Sequence, residues 1–131
     1  MPNRNKAIIR NDKNQILLLK NKDYWDIPVG RMDQGEDIEA ALLRELNEEI
    51  GVDRVVGKQL WNVVRAVKQL SYGNMMTSLM LIVYRVRLPA DQIPHSCEPG
   101  AVLNWVSYEE AANRLKNKYP DSFCQAVAYL S

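Results

Sequence analysis

The chain is poor in the residues that build thiol, zinc or imidazole chemistry: 131 residues hold two cysteines and one histidine. Cys97 and Cys124 show no CxxC spacing, so neither a disulfide framework nor a Cys/His metal cluster can be drawn from them. Both thiols read as small, unreactive hydrophobes in a reducing cytoplasm. His95 stands alone in a proline-rich stretch and reads as solvated. The longest apolar run, Leu79 to Tyr84, is far too short for a membrane span. The polar stretch from Met1 to Lys6 matches neither a signal peptide nor a transit peptide. Net charge is only +1, with 17 basic and 16 acidic residues, which argues against nucleic acid as a partner and against disorder. With no repeat, biased tract or Gly/Ser linker in view, residues 1–131 read as a single domain, with a homodimer left open.

What is present is unevenly placed. Between Asp33 and Asp53 lie eight of the 16 acids with Arg44 as the only base, so that stretch carries −7 and the rest of the chain +8. An acidic cluster in an otherwise cationic chain points to a divalent cation beside an anionic ligand. Along the chain, Lys6–Arg10 and Gln15–Lys20 are aliphatic runs around the turn formers Asn11–Asn14, a hairpin. Trp25–Gly30 reads as one short extended piece that Pro28 keeps from being a central strand, followed by a polar loop. Asp37–Ile50 has neither Gly nor Pro and reads as a helix that Gly51 ends. Val55–Leu70 and Met75–Leu88 predict two long strands turning at Ser71–Asn74, Pro89–Gly100 a loop, and Ala101–Val106 a last strand. Ser107 with Glu110 is a capping box for a helix running to about Lys118, and Asp121–Leu130 suits a second, shorter one. The order predicts an α/β fold, an α/β/α sandwich around a mixed β-sheet. Trp61, Trp105, Met75, Met76 and Met80 are assigned to its core.

The helix carries the chemical signal. On a wheel of about 100° per residue, Ile38, Leu42, Leu46, Ile50 and Leu43 form one apolar stripe. Glu49, Glu45 and Glu48 fall about 20°, 60° and 120° to one side of Leu42, adjoining the buried stripe where a solvated charged face would stand opposite it. Carboxylates crowded this way ionise together only if a cation compensates them. Oxygen-only donors select a hard ion, Mg²⁺ or Mn²⁺.

Gly30, Glu36 and the run Arg44-Glu45-Leu46-Asn47-Glu48-Glu49-Ile50-Gly51-Val52 fit the spacing glycine-x5-glutamate-x7-arginine-glutamate-aliphatic-x-glutamate-glutamate-x-glycine-aliphatic. A chance match is on the order of one in a hundred million windows. Residues 30–52 thus resemble the Nudix box, and the chain resembles a MutT-like Nudix hydrolase. The Leu-rich strand ending at Lys20, the Trp25–Gly30 run and Trp105-Val106 occur in the family's order. Two positions depart from the pattern: Val29 replaces the first glycine of the usual pair, and Asp33 the usual longer acid.

The resemblance implies metal-dependent cleavage of a nucleoside diphosphate linked to another group. Glu45, Glu48 and Glu49 match the family's helix ligands, the Val29 carbonyl its backbone ligand, and Glu36 a ligand at the helix entry or an outer acid. Arg44 reads as an orienter through an i to i+4 pair with Glu48. The water-activating acid is left among Glu48, Glu45 and Glu98, the last placed where some members bring in an extra acid, with Glu109 and Glu110 as further candidates should Glu98 fail. Arg31 and Lys20 are candidate phosphate contacts; Trp25 and Tyr72 are candidate base-stacking residues. The implied substrate is a small nucleotide, most simply a nucleoside triphosphate cut to monophosphate and pyrophosphate. The alternatives are a nucleotide-sugar or dinucleoside polyphosphate hydrolase, or a non-catalytic nucleotide-binding module. Cytoplasmic location and no membrane partner complete the expectation.

Overall fold

A computed structural model describes residues 3–20, 24–31, 35–68 and 77–130. Its strands are β1 (Asn3–Arg10), β2 (Ile16–Lys20), β3 (Trp25–Asp26), β4 (Val29–Arg31), β5 (Gly57–Lys68), β6 (Thr77–Arg87) and β7 (Val102–Val106). The helices are α1 (Ile38–Ile50), α2 (Tyr108–Leu115) and α3 (Asp121–Ala128). None of these helices is long and apolar enough to cross a membrane. Tyr72, Asp33, Met75, Met76 and the turn at Ser71–Asn74 lie outside the described residues, as does the Arg31 side chain.

The strands form one mixed sheet in the order β3-β2-β1-β6-β5, with β4 on β1 and β7 on β2. β1 and β6 run parallel, Asn3 opposite Met80 through Arg10 opposite Arg87, and the other pairings are antiparallel. Both faces are covered, which is why the central strands read as nearly continuous apolar runs. Ala7, Ile9, Leu17, Tyr84 and Val86 pack with Leu42, Leu46 and Ile50 of α1. Ile8, Ile16, Leu18, Leu81 and Val83 pack with Leu115, Phe123 and Val127 of α2 and α3. The result is the α/β/α sandwich. Each buried Leu or Ile contributes roughly 1.5–3 kcal/mol relative to exposure.

Local chemistry explains the boundaries. Asn11 Oδ1 accepts from the amides of Lys13 and Gln15, both at 3.0 Å, and Asn14 takes φ 57°, closing the β1–β2 turn. The segment read as one extended piece is two strands, broken at Ile27-Pro28. Proline has no amide to donate, but its carbonyl accepts from Ala7 N at 3.1 Å, and the chain then passes from β2's edge to β1. Strand continues through Arg31, beyond the Gly30 at which the loop was expected to start. Ser107 Oγ accepts from Glu110 N as the capping box predicts, whereas the Glu110 carboxylate takes Arg114 and α2 stops at Leu115 instead of Lys118. Trp61 and Trp105 are only partly buried, packed at the margins of the two cores, and Met80 is also partly exposed.

Candidate active site

α1 begins after Asp37, an extended N-cap residue at φ −67°, and ends at Gly51, which adopts φ 72°. Gly51 donates to Asn47 O at 3.0 Å and Val52 to Leu46 O at 3.3 Å, closing the last turn. Two carbonyls of that turn find donors far along the chain: His95 N reaches Ile50 O at 3.0 Å and Cys97 N reaches Glu49 O at 3.1 Å. The 89–100 loop therefore straps the end of the helix. A side chain at position 51 would also collide with His95, whose ring would lie 2.2 Å from a Cβ there.

Of the three carboxylates expected to adjoin the buried stripe, Glu49 and Glu45 do, whereas Glu48 stands on the solvent side. Glu49 is buried at 9% exposure, the Glu45 side chain is 18% exposed and that of Glu48 59%. Arg44 organises the acids: Nε and Nη2 form a fork on Glu36 at 2.7 and 3.0 Å, and Nη1 donates to Glu45 at 2.9 Å and Glu48 at 3.2 Å. The i to i+4 pair with Glu48 is thus formed, and of the two roles open to Glu36 the geometry favours holding the arginine. Glu36, Glu45 and Glu48 meet on Arg44. Among the described residues, no three carboxylates close directly on one another as a ready ligand cage. Three carboxylates share the Arg44 guanidinium on a partly buried helix face, an acidic arrangement that suits a divalent cation. Every side-chain donor in the group is a carboxylate oxygen, which fits a hard ion. β4 packs against α1 and brings the Val29 and Gly30 backbone beside this face.

Of the other predicted residues, Glu98 is tied to the end of α1, whereas Trp25 packs against the core on the α2 and α3 side of the sheet. Glu98 is exposed and adjoins Cys97, whose amide holds the Glu49 carbonyl, so the strap delivers it to the C-terminal end of α1. Lys20 and Trp25 face each other across β2 and β3, with Nζ 5.7 Å from the ring centroid. Arg114 lies 4.6 Å from the same ring, so Trp25 already carries a cation on one face. Cys124 is buried as expected; Cys97 is exposed, with Sγ 3.6 Å from His95 Nε2, so it is not a core hydrophobe and His95 is not isolated.

One cluster escapes sequence reasoning. Lys6, fully buried in β1, pairs with Asp26 at 2.9 Å; Lys118 reaches the same oxygen at 2.6 Å, and Tyr119 donates to the other. Burial pushes the Lys6 ammonium down to about 8, against the opposing pull of Asp26 and, more weakly, of Glu49. Burial alone would raise the Asp26 carboxyl; the two lysines and Tyr119 outweigh it and hold the group below its ordinary value. Lys6 lies opposite Val29 in register, so this network underlies the strand beside the acidic face. A lysine among the aliphatics of the first strand was its one visible trace.

Three comparisons place this geometry among known proteins. The chain matches the NUDIX domain family model over residues 4–125. Over 56 residues it is 44% identical to a Bacillus subtilis (strain 168) protein whose provisional name is 8-oxo-dGTP diphosphatase, covering 41% of this chain and 38% of that one. It is 35% identical over 80 residues to the RNA pyrophosphohydrolase of Wolbachia pipientis subsp. Culex pipiens (strain wPip), covering 59% and 46%. The match thus spans less than half the length of either relative. A solved MutT, from Aliivibrio salmonicida or Vibrio cholerae, superposes with TM-score 0.76 at 28% identity, covering 99% of this chain and 98% of that one. An acidic helix organised by one arginine, a matching family model over nearly all of its length and a shared three-layer fold lead to one conclusion: the chain belongs to the NUDIX family, the Nudix hydrolases.

Proposed function

We propose that this chain is a divalent-metal-dependent pyrophosphohydrolase that converts a nucleoside triphosphate to a nucleoside monophosphate and pyrophosphate. The observation that carries the reading is the Arg44 hub, which holds Glu36, Glu45 and Glu48 in fixed relation beside the buried Glu49. Glu45 and Glu49, one helical turn apart, would hold one ion together with the Val29 carbonyl, and Glu48 would serve a neighbouring one. Mg²⁺ or Mn²⁺, when bound, supplies neutralisation of the phosphoanhydride charge that otherwise repels an attacking oxygen.

The protein's own residues do the rest. Arg44 fixes carboxylate orientation, so little reorganisation is needed as charge develops. Arg31, at the end of β4, would hold the outer phosphates, with Lys20 as a further cation. An acid at the solvent side, Glu98 or Glu48, would take a proton from water as its oxygen attacks the phosphorus next to the nucleoside. The bond from that phosphorus to the bridging oxygen breaks, and pyrophosphate leaves. The choice of nucleobase, with any stacking role of Trp25 or Tyr72, would be set outside the acidic helix. The names of the two sequence relatives, one a nucleotide diphosphatase and one acting on RNA, support pyrophosphate cleavage as the shared chemistry.

Hydrolysis in ¹⁸O-labelled water, followed by mass analysis of both products, tests the assignment. Label in the monophosphate and loss of turnover in chelator are the expected results. Label only in pyrophosphate or phosphate contradicts the point of attack. Triphosphates left intact while a nucleotide sugar or dinucleotide is cleaved would move the substrate to that class. Tight nucleotide binding without any labelled product would make the chain a sensing module.

A further inference from the structure

At the far end of the sheet three arginines come together. Arg10 ends β1, the parallel register sets it beside Arg87 of β6, and Arg85 lies two residues back on the same face. By alternation that face is the one carrying Ile8 and Val83, toward α2 and α3. Neighbouring strands lie about 4.8 Å apart and alternate residues about 6.6 Å, so the side chains rise from one compact triangle. β4 and the acidic helix are served by the opposite end of β1, where Arg4, Asn5 and Lys6 pair with Arg31, Gly30 and Val29.

The three line an open cavity of about 370 Å³ that includes Gln59 and Gly57 and no acidic residue. Gly57 stands opposite Arg87, and even a Cβ there would meet nothing within 4 Å, so the cavity floor is open. Lys58, which also lines the cavity, is committed to Glu39 of α1 at 2.9 Å. Arg10 has only a long contact, 3.5 Å, to Tyr108 Oη. Arg44, Arg54 and Arg114 each have a carboxylate partner, whereas among the described residues Arg10, Arg85 and Arg87 have none. Arg85 Nε is buried with no hydrogen-bond partner. Like charges side by side on neighbouring strands destabilise a sheet, and a buried donor left unpaired adds to that cost. An anion would remove both penalties.

We propose that this arginine face is a second anion site, separate from the acidic helix, that takes the di- or triphosphate group of a small molecule. The planar guanidinium fork matches phosphate oxygens two at a time, and three forks around a small cavity suit several negative charges concentrated at one point. A nucleic-acid backbone calls instead for cations strung along a groove with stacking aromatics. The same phosphate chemistry has two sources, free polyphosphate or the tail of a nucleotide. The inference does not depend on the hydrolytic reading.

The test is calorimetric titration of the protein in chelator with tripolyphosphate, with pyrophosphate, with a non-hydrolysable nucleoside triphosphate analogue, and with a 5′-hydroxyl single-stranded oligonucleotide. Tripolyphosphate and pyrophosphate should bind, at least tenfold more weakly in Arg87→Gln and in Arg10→Gln, and equally well in Glu49→Gln. Arg85→Lys, which keeps the charge but loses the fork, should fall between wild type and the neutral variants. Tighter binding of the nucleotide analogue than of tripolyphosphate makes the ligand nucleotide-borne; the reverse makes it free polyphosphate. Because Arg87 is exposed, its variant tests the site without disturbing the core, and its turnover should match wild type. No binding of either polyphosphate, binding indifferent to Arg10 and Arg87, loss in Glu49→Gln instead, or preference for the oligonucleotide would overturn the proposal.

Discussion

At the scale of single residues, Glu49 is the carboxylate whose two faces differ most: buried at 9% exposure, yet one turn from Glu45 and within the field of Lys6. Glu49→Gln should lower turnover on the order of a hundredfold or more while leaving thermal stability in chelator equal or higher, since one of several crowded charges is gone. Near-wild-type turnover in that variant would refute the role given to the acidic face. Glu98 is separable from it because it sits on the strap, not the helix. If Glu98 activates water, Glu98→Gln should cost on the order of a hundredfold to ten-thousandfold; turnover within a factor of about three would return the role to Glu48, Glu45, Glu109 or Glu110. Gly51 is constrained twice, by its left-handed φ of 72° and by the His95 ring over it. Gly51→Ala should therefore cost more than ~1 kcal/mol in urea unfolding, and a neutral result would show that the strap moves aside freely.

Whole elements differ in how far their positions could be read in advance. α1 was legible because its information is local: apolar residues at helical spacing, acids along one flank and a glycine at the end all lie within one segment. Its strap was not, because the bonds from His95 and Cys97 to the carbonyls of Ile50 and Glu49 join stretches with no common pattern. Pro28 announced an interruption but not its consequence, that the flanking residues pair with two different strands. The Lys6–Asp26–Lys118 network was hidden for the same reason, since two strands and the turn between α2 and α3 each supply one residue to it. Asp26→Ala would leave a fully buried ammonium without its partner and should destabilise by about 3–5 kcal/mol. The Asp26 carboxyl is held below its ordinary 3.8, so its contribution is complete above that pH and is lost as pH falls through the lowered value. The acid limb of wild-type stability should thus be steeper than that of Asp26→Ala; superimposable limbs would mean that the network does not govern acid unfolding.

For the molecule as a whole, the two-sided sheet was foreseeable from the alternation of strands and helices, whereas strand neighbours were not. Arg10 and Arg87 are far apart in sequence and become adjacent only through the parallel pairing of β1 with β6. A shift of one residue in that register would put Arg10 and Arg87 on opposite faces. The same pairing governs the order in which the protein can be assembled. β1 is made first, yet its long parallel partner is made only after α1 and β5, so a nascent chain that already contains the entire acidic helix still lacks the strand that completes the sheet beneath it. Closing so long a loop is slow, and until it closes the apolar stripe of Leu42, Leu46 and Ile50 has only part of its packing surface. Chains halted before Arg87 should therefore be targets for chaperones and proteases despite carrying every residue of the motif, and protection should come only once β6, and then α2 and α3 over the opposite face, have been made.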